Sequence, residues 1–159
     1  MSTTPTTAPA ETAPATDEKQ GGHPVLLATL GVPFDDAAGT FAVDSALESG
    51  QVLIVANITR LEPLPLSVRL GYDSLDEFTP EVSRQIRAPA ERAHSLGVRV
   101  ERLRVRSPRP ITALLQLANE RTPGLLVFGP RRTSLSARRY ERAARAVRKG
   151  APCLVWLPH

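Results

Sequence analysis

The chain has 159 residues, 42% of them hydrophobic, with 15 prolines, one cysteine and a formal net charge of +4, enough for one domain with a two-sided core and too short for two. Cys153 alone supports neither an intrachain disulfide framework nor a cysteine-based zinc cluster, and its place in an apolar run reads as a buried strand cysteine. No apolar run approaches the roughly eighteen residues of a membrane span, and the N-terminus lacks a basic start followed by an apolar stretch, so a soluble protein of the cytoplasm is expected.

Residues 1–22 are almost entirely threonine, proline, alanine and acids, which offer little to bury against the ordering entropy of the chain, so a disordered tail is predicted there and a domain over residues 23–159. Val25 to Leu30 reads as a first strand. A helix follows from about Phe34 to Ser49, started by Asp35 and Asp36, with Ala38, Ala42 and Ala46 four apart and Gly50 as its cap. The two aspartates fit a helix start better than a metal site. Val52 to Ile58 is a continuous apolar second strand. Thr59 to Phe78 reads as a long loop holding Pro63, Pro65 and Gly71, for which a lid and a disordered segment stand as equal alternatives.

Thr79-Pro80-Glu81 supplies an N-cap hydroxyl, a first-turn proline and an acid at the positive end of a helix that shows Val82, Ile86, Ala90 and Ala93 on one face. Pro89 should kink it. Val98 to Val105 is a third strand whose alternation slips at Glu101 and Arg102, where a bulge or a shortened strand would restore the phase. Pro110 to Glu120 reads as a helix, Leu125 to Gly129 as a fourth strand, Thr133 to Lys149 as an arginine-rich helix and Ala151 to Leu157 as a fifth strand. Strands alternating with helices predict a mostly parallel sheet covered on both faces.

Charge is unevenly spread. Residues 1–98 hold six Lys or Arg against thirteen Asp or Glu, whereas residues 99–159 hold fourteen against three. Arg131, Arg132, Arg138, Arg139, Arg142, Arg145, Arg148 and Lys149 surround one turn and one helix. They form either a solvated face, partly paired with Glu120, Glu141 or the acidic first half, or an anion-binding surface centred on Arg131 and Arg132 at the helix's positive end. Nucleic acid is the weakest partner reading, because Tyr140 is the one aromatic residue in the basic segment and no DNA- or RNA-binding motif is present. No nucleophile elbow, zinc helix or phosphate loop of the Walker type occurs, and His23, His94 and His159 are scattered, so an enzyme is not expected.

The stretch Gly124-Leu-Leu-Val-Phe-Gly129-Pro-Arg-Arg-Thr-Ser, its helix and Ala151-Pro-Cys-Leu-Val resemble the closing strand–helix–strand unit of a universal stress protein domain, where a hydrophobic strand, Gly-Ser-Arg-Gly, a helix and Ala-Pro-Cys-Pro-Val are usual. Pro110-Ile111 leading to Leu125 to Gly129 is similar to the same family. The resemblance covers the last fifty residues well and the first two strands by pattern. It implies a single doubly wound, adenine-nucleotide alpha hydrolase-like α/β domain, with a five-stranded parallel sheet of order 3-2-1-4-5 and helices on both faces. It also implies a crevice that sets Thr29, Leu30 and Gly31 opposite Phe128, Gly129 and Pro130.

Nucleotide-binding members of the family carry glycine, two residues, glycine, nine residues, glycine and a hydroxyl residue after the fourth strand, and an aspartate after the first. Here Gly129 is kept, Arg132 replaces the second glycine, Glu141 and Arg142 stand at the third glycine and its partner, and Leu30 replaces the aspartate. The resemblance therefore implies a regulatory, stress-response binding protein without catalysis or cofactor, whose degenerate site does not bind ATP in the usual way. A different anionic ligand would meet Thr29, Leu30, Gly31, Phe128, Gly129, Pro130, Arg131, Arg132, Thr133, Ser134 and Arg142. An ATP- or AMP-binding member with a diverged loop, and an interaction module that offers its basic helix to an acidic protein or nucleic acid, are the alternatives. The family likeness also implies a homodimer through Cys153, Leu154, Val155, Trp156 and Leu157.

Overall fold

A computed structural model describes residues 22–61 and 79–159. Residues 1–21 of the proposed tail and 62–78 of the proposed lid or disordered loop lie outside the described residues. Strands β1 (Val25–Thr29), β2 (Leu53–Arg60), β3 (Val100–Ser107), β4 (Leu125–Phe128) and β5 (Leu154–Trp156) alternate with helices α1 (Asp36–Ser49), α2 (Pro80–Ser95), α3 (Pro110–Arg121) and α4 (Ala137–Gly150). All strand pairs are parallel, in the order β3-β2-β1-β4-β5. Parallel strands need helical crossovers on the faces, which is why β1 is apolar up to Thr29 and buried at every residue.

Two cores flank the sheet. Val25, Leu27, Val55 and Val127 pack with Ala38, Ala42 and Ala46 of α1 and Ile86, Ala90 and Ala93 of α2 on one face. Leu26, Ala28, Ile54 and Phe128 pack with Leu114 and Ala118 of α3 and Tyr140, Ala144 and Val147 of α4 on the other. The small residues along α1 let it lie close to the sheet and to α2: a Cβ at Gly39 would come 3.4 Å from Cγ of Pro89. Pro89 is buried within a helix that runs unbroken from Pro80 to Ser95.

The capping signals lie where the sequence puts them. Asp35 accepts from the Ala38 amide and Thr79 from the Val82 amide, and Gly50 closes α1 at φ 66°. Each such N-cap stabilises its helix by about 1 kcal/mol.

Two expectations need correction. β3 has neither bulge nor shortening, for its register with β2 runs without a break from Leu53↔Val100 to Arg60↔Ser107. Val100 belongs to the α1–α2 core while Leu103 and Val105 belong to the other. Glu101 shares the parity of Leu103 and Val105, and Arg121, in the last turn of α3, holds its carboxylate through two hydrogen bonds of 2.7 and 3.2 Å. The basic helix also starts later than Thr133. Arg132–Ser134 form a 3-10 turn, and α4 begins at Ala137, capped by the Ser136 hydroxyl, which accepts from the Arg139 amide.

Candidate functional site

The carboxyl ends of β1 and β4 meet where the winding reverses, the usual place for a ligand in an open α/β sheet. In this chain the two loops there are sewn to each other. The Asp35 amide donates to the Gly129 carbonyl and the Arg131 amide to the Pro33 carbonyl, both at 2.9 Å, on either side of a bridge between Phe34 and Pro130. Phe34 and Pro130 are buried. Beside them, Gly31 at φ 71° donates its amide to Oδ1 of Asn57 at 2.9 Å, and the Thr29 hydroxyl donates to the Val32 carbonyl at 2.7 Å.

The turn that the sequence offers as a phosphate cradle is therefore largely committed to the fold. Within residues 129–134 the amide of Gly129 donates to Ala28, that of Arg131 to Pro33 and that of Ser134 to Arg131, and Pro130 has none. Arg132 and Thr133, at the open start of the 3-10 turn, keep the two amides the turn can offer. Gly129 is itself explained by packing, because a Cβ there would sit 2.6 Å from Cβ of Ala38 and 3.3 Å from Cδ1 of Leu27.

Arg131 and Arg132, neighbours in sequence, go to opposite faces. Arg131 donates to Gln85 of α2 at 3.2 Å and lies 3.6 Å from the Asp36 carboxylate on α1. Arg132 lays its guanidinium over the Tyr140 ring, 4.8 Å from the centroid, on the α4 face. Their positive charges do not converge on one ligand position. The positive end of α4 also lies beyond both of them, at Ser136.

The candidates Leu30 and Arg142 are brought together elsewhere. With Arg60 from the end of β2, Arg139 and the start of α3 they line a cavity of about 380 Å³ on the α3–α4 face. Arg109, the N-cap residue of α3, makes no side-chain capping bond, and the helix opens with Pro110. The amides of Ile111 and Thr112 thus stand at a positive helix end without a capping side chain. Among the described residues, Arg60, Arg139 and Arg142 enter no ion pair. Three guanidinium groups and an uncapped helix end suit an oxyanion. Sequence reasoning missed Arg60, Arg139 and the α3 start; the signal was Arg109-Pro110, a helix start with no Ser, Thr, Asp or Asn ahead of the proline.

β5 forms one edge of the sheet. Leu154 is 72% exposed, Val155 and Trp156 are half-buried and Leu157 is buried. Trp156 stacks on Phe41 of α1 at 4.5 Å. Burial pushes the half-buried Cys153 thiol up in pKa, away from a reactive thiolate. Among the described residues no group of His, Cys, Asp and Glu could hold a metal ion, and no helix is long and apolar enough to cross a membrane.

The model of the universal stress protein family matches residues 22–158. A universal stress protein solved in complex with cAMP is similar over 87% of this chain and 97% of its own, at 23% identity and a TM-score of 0.57. The Archaeoglobus fulgidus universal stress protein in complex with dAMP is similar over 85% of this chain and 96% of its own, at 20% identity and a TM-score of 0.56. A family protein from Arabidopsis thaliana with AMP bound is 15% identical, covering 86% of this chain and 90% of its own at a TM-score of 0.51. At these identities the likeness is one of fold. No curated protein sequence matches.

Proposed function

The chain belongs to the universal stress protein family, and we propose that it is a non-catalytic binding protein of stress adaptation that holds a small phosphorylated or otherwise anionic ligand on arginine side chains instead of on the amides of a glycine turn. One observation carries this reading: Arg60, Arg139 and Arg142 and the uncapped start of α3 surround a cavity beside Leu30. The turn after β4 is a poor competitor, since its amides bond to the β1–α1 loop and to itself. Guanidinium forks bind phosphate without needing bare backbone. The nucleotides cAMP, dAMP and AMP, held by the solved relatives, supply the charge these arginines attract, while ATP placed along a glycine turn does not fit this chain.

The test is the thermal midpoint of the full chain with millimolar AMP, cAMP, ATP with magnesium, and inorganic phosphate. A ligand that binds the folded state alone at ten times its Kd stabilises it by about 1.4 kcal/mol. The expected result is a rise with a phosphorylated monoanion or dianion that Arg142→Glu abolishes and Arg132→Gly leaves intact. A rise with ATP that depends on position 132 and not on 142 restores the glycine-turn mode and defeats the proposal. Salt-sensitive partner binding with no small-molecule shift would instead favour an interaction module built on α4.

A further inference from the structure

We infer that the opposite flank of α4 carries a second, separate anion site, a cavity of about 730 Å³ built for a small molecule bearing two or more phosphate groups. Its walls carry Arg132 from the 3-10 turn and Arg145, Arg148 and Lys149 from α4, against the side-chain carboxylate of Glu141, with His159 at the rim. Among the described residues neither these Arg and Lys side chains nor Glu141 are in an ion pair. Ala144 and Leu157 add an apolar floor. Residues 145, 148 and 149 are three and four apart, so their side chains leave the helix as neighbours. Like charges so gathered repel one another until an anion arrives, and several phosphate groups neutralise them better than one.

Tyr140 is the independent sign of a ligand. It lines this cavity, it is 6% exposed, and its hydroxyl has no hydrogen-bond partner. Buried polar groups are nearly always partnered, so an orphaned phenol beneath a cationic wall marks a place where something else completes the bond. Arg132 lies over the ring, and both Arg132 and Arg148 act on the ionisation of the phenol. The hydroxyl is shut off from the cavity beneath Arg132, so an anion gripped by these two guanidiniums meets it once Arg132 swings off the ring, and the phenol can then donate to it. The Tyr140 ring is already covered by Arg132, which removes it as a platform for stacked bases and favours a small molecule over nucleic acid.

Isothermal titration of the full chain with inorganic pyrophosphate and tripolyphosphate at fixed ionic strength tests this. Two saturable sites are expected: this one, weakened at least tenfold in Arg145→Ala/Arg148→Ala and kept in Arg142→Ala, and that of the α3–α4 cavity, weakened in Arg142→Ala and kept in the double variant. Tyr140→Phe should weaken binding severalfold while its thermal midpoint stays level or rises, a combination that a merely structural tyrosine would not give. Circular dichroism confirms that the exposed-arginine variants fold. Absence of a saturable site, equal loss of this site in Arg142→Ala, no loss in the double variant, or affinity for an oligonucleotide with none for pyrophosphate each overturns the inference. A single site, lost in Arg142→Ala alone, would instead assign the phosphate to the α3–α4 cavity of the proposed function.

Discussion

Tyr140 spends a polar group on the core without a partner in the fold. Burial holds its phenol above the ordinary pKa, with Arg132 pulling the other way. Below about pH 10 the phenol is neutral in both folded and unfolded chains, so it adds no pH dependence there. Above it the unfolded chain ionises first, and the fold loses stability until the raised folded pKa is passed. Tyr140→Phe is therefore expected to be as stable as the parent or more so at pH 7, by up to about 1 kcal/mol. Its advantage should grow as the pH rises above about 10. Urea unfolding of both proteins at each pH reads this directly, and Cys153, also raised by burial, cancels in the comparison. A Tyr140→Phe protein that is less stable at pH 7 and gains nothing at high pH would mean that the hydroxyl is partnered. In sequence Tyr140 is the lone aromatic of a basic helix; its lack of a partner arises from what the fold sets around it and has no local signature.

At the level of elements, Gly129 shows why a site can be misread while the strand that carries it is read correctly. A glycine ending a strand before arginines signals close phosphate approach, and the same glycine is what α1 needs in order to seat Ala38 against the end of β4. Both demands leave one identical letter. Gly129→Ala should cost about 1–3 kcal/mol by forcing α1 off the sheet, measured by urea unfolding, and a neutral result would return the glycine to a ligand role. The caps of α1 and α2 were legible because Asp35 and Thr79-Pro80-Glu81 are strong and solitary signals. The start of α4 was not, since the 3-10 turn of Arg132–Ser134 lies ahead of the true cap, Ser136. That displacement moved the positive helix end away from Arg131 and Arg132. The apparent slip in β3 came from its apolar residues serving opposite faces, Val100 the α1–α2 core and Leu103 and Val105 the other, while Glu101 finds its partner, Arg121, on the following helix and beyond any strand-local pattern.

For the whole molecule, the alternation of apolar strands and helices was enough to read five strands and two covered faces, and the family resemblance supplied their order. Side-chain destinations were beyond both, because two adjacent arginines in one turn diverge to different layers according to which helix each meets. The expectation of a homodimer belongs to this scale. β5 is a sheet edge with Leu154 72% exposed, and an unpaired apolar edge favours pairing with a second copy. Leu154→Lys should shift the chain from dimer to monomer in sedimentation equilibrium without lowering its helix content. A parent protein that is already monomeric at high micromolar concentration ends the dimer reading.

The stitch between Phe34 and Pro130 also has a bearing on time. It joins a loop after the first strand to a loop after the fourth, so it cannot close until nearly the whole domain has been synthesised, and contacts so distant along the chain bear the largest closure cost and form late. A chain still on the ribosome can hold β1, β2 and β3 and have no finished rim above them. The rim is then completed in one step, once β4 and the turn after it have joined the sheet.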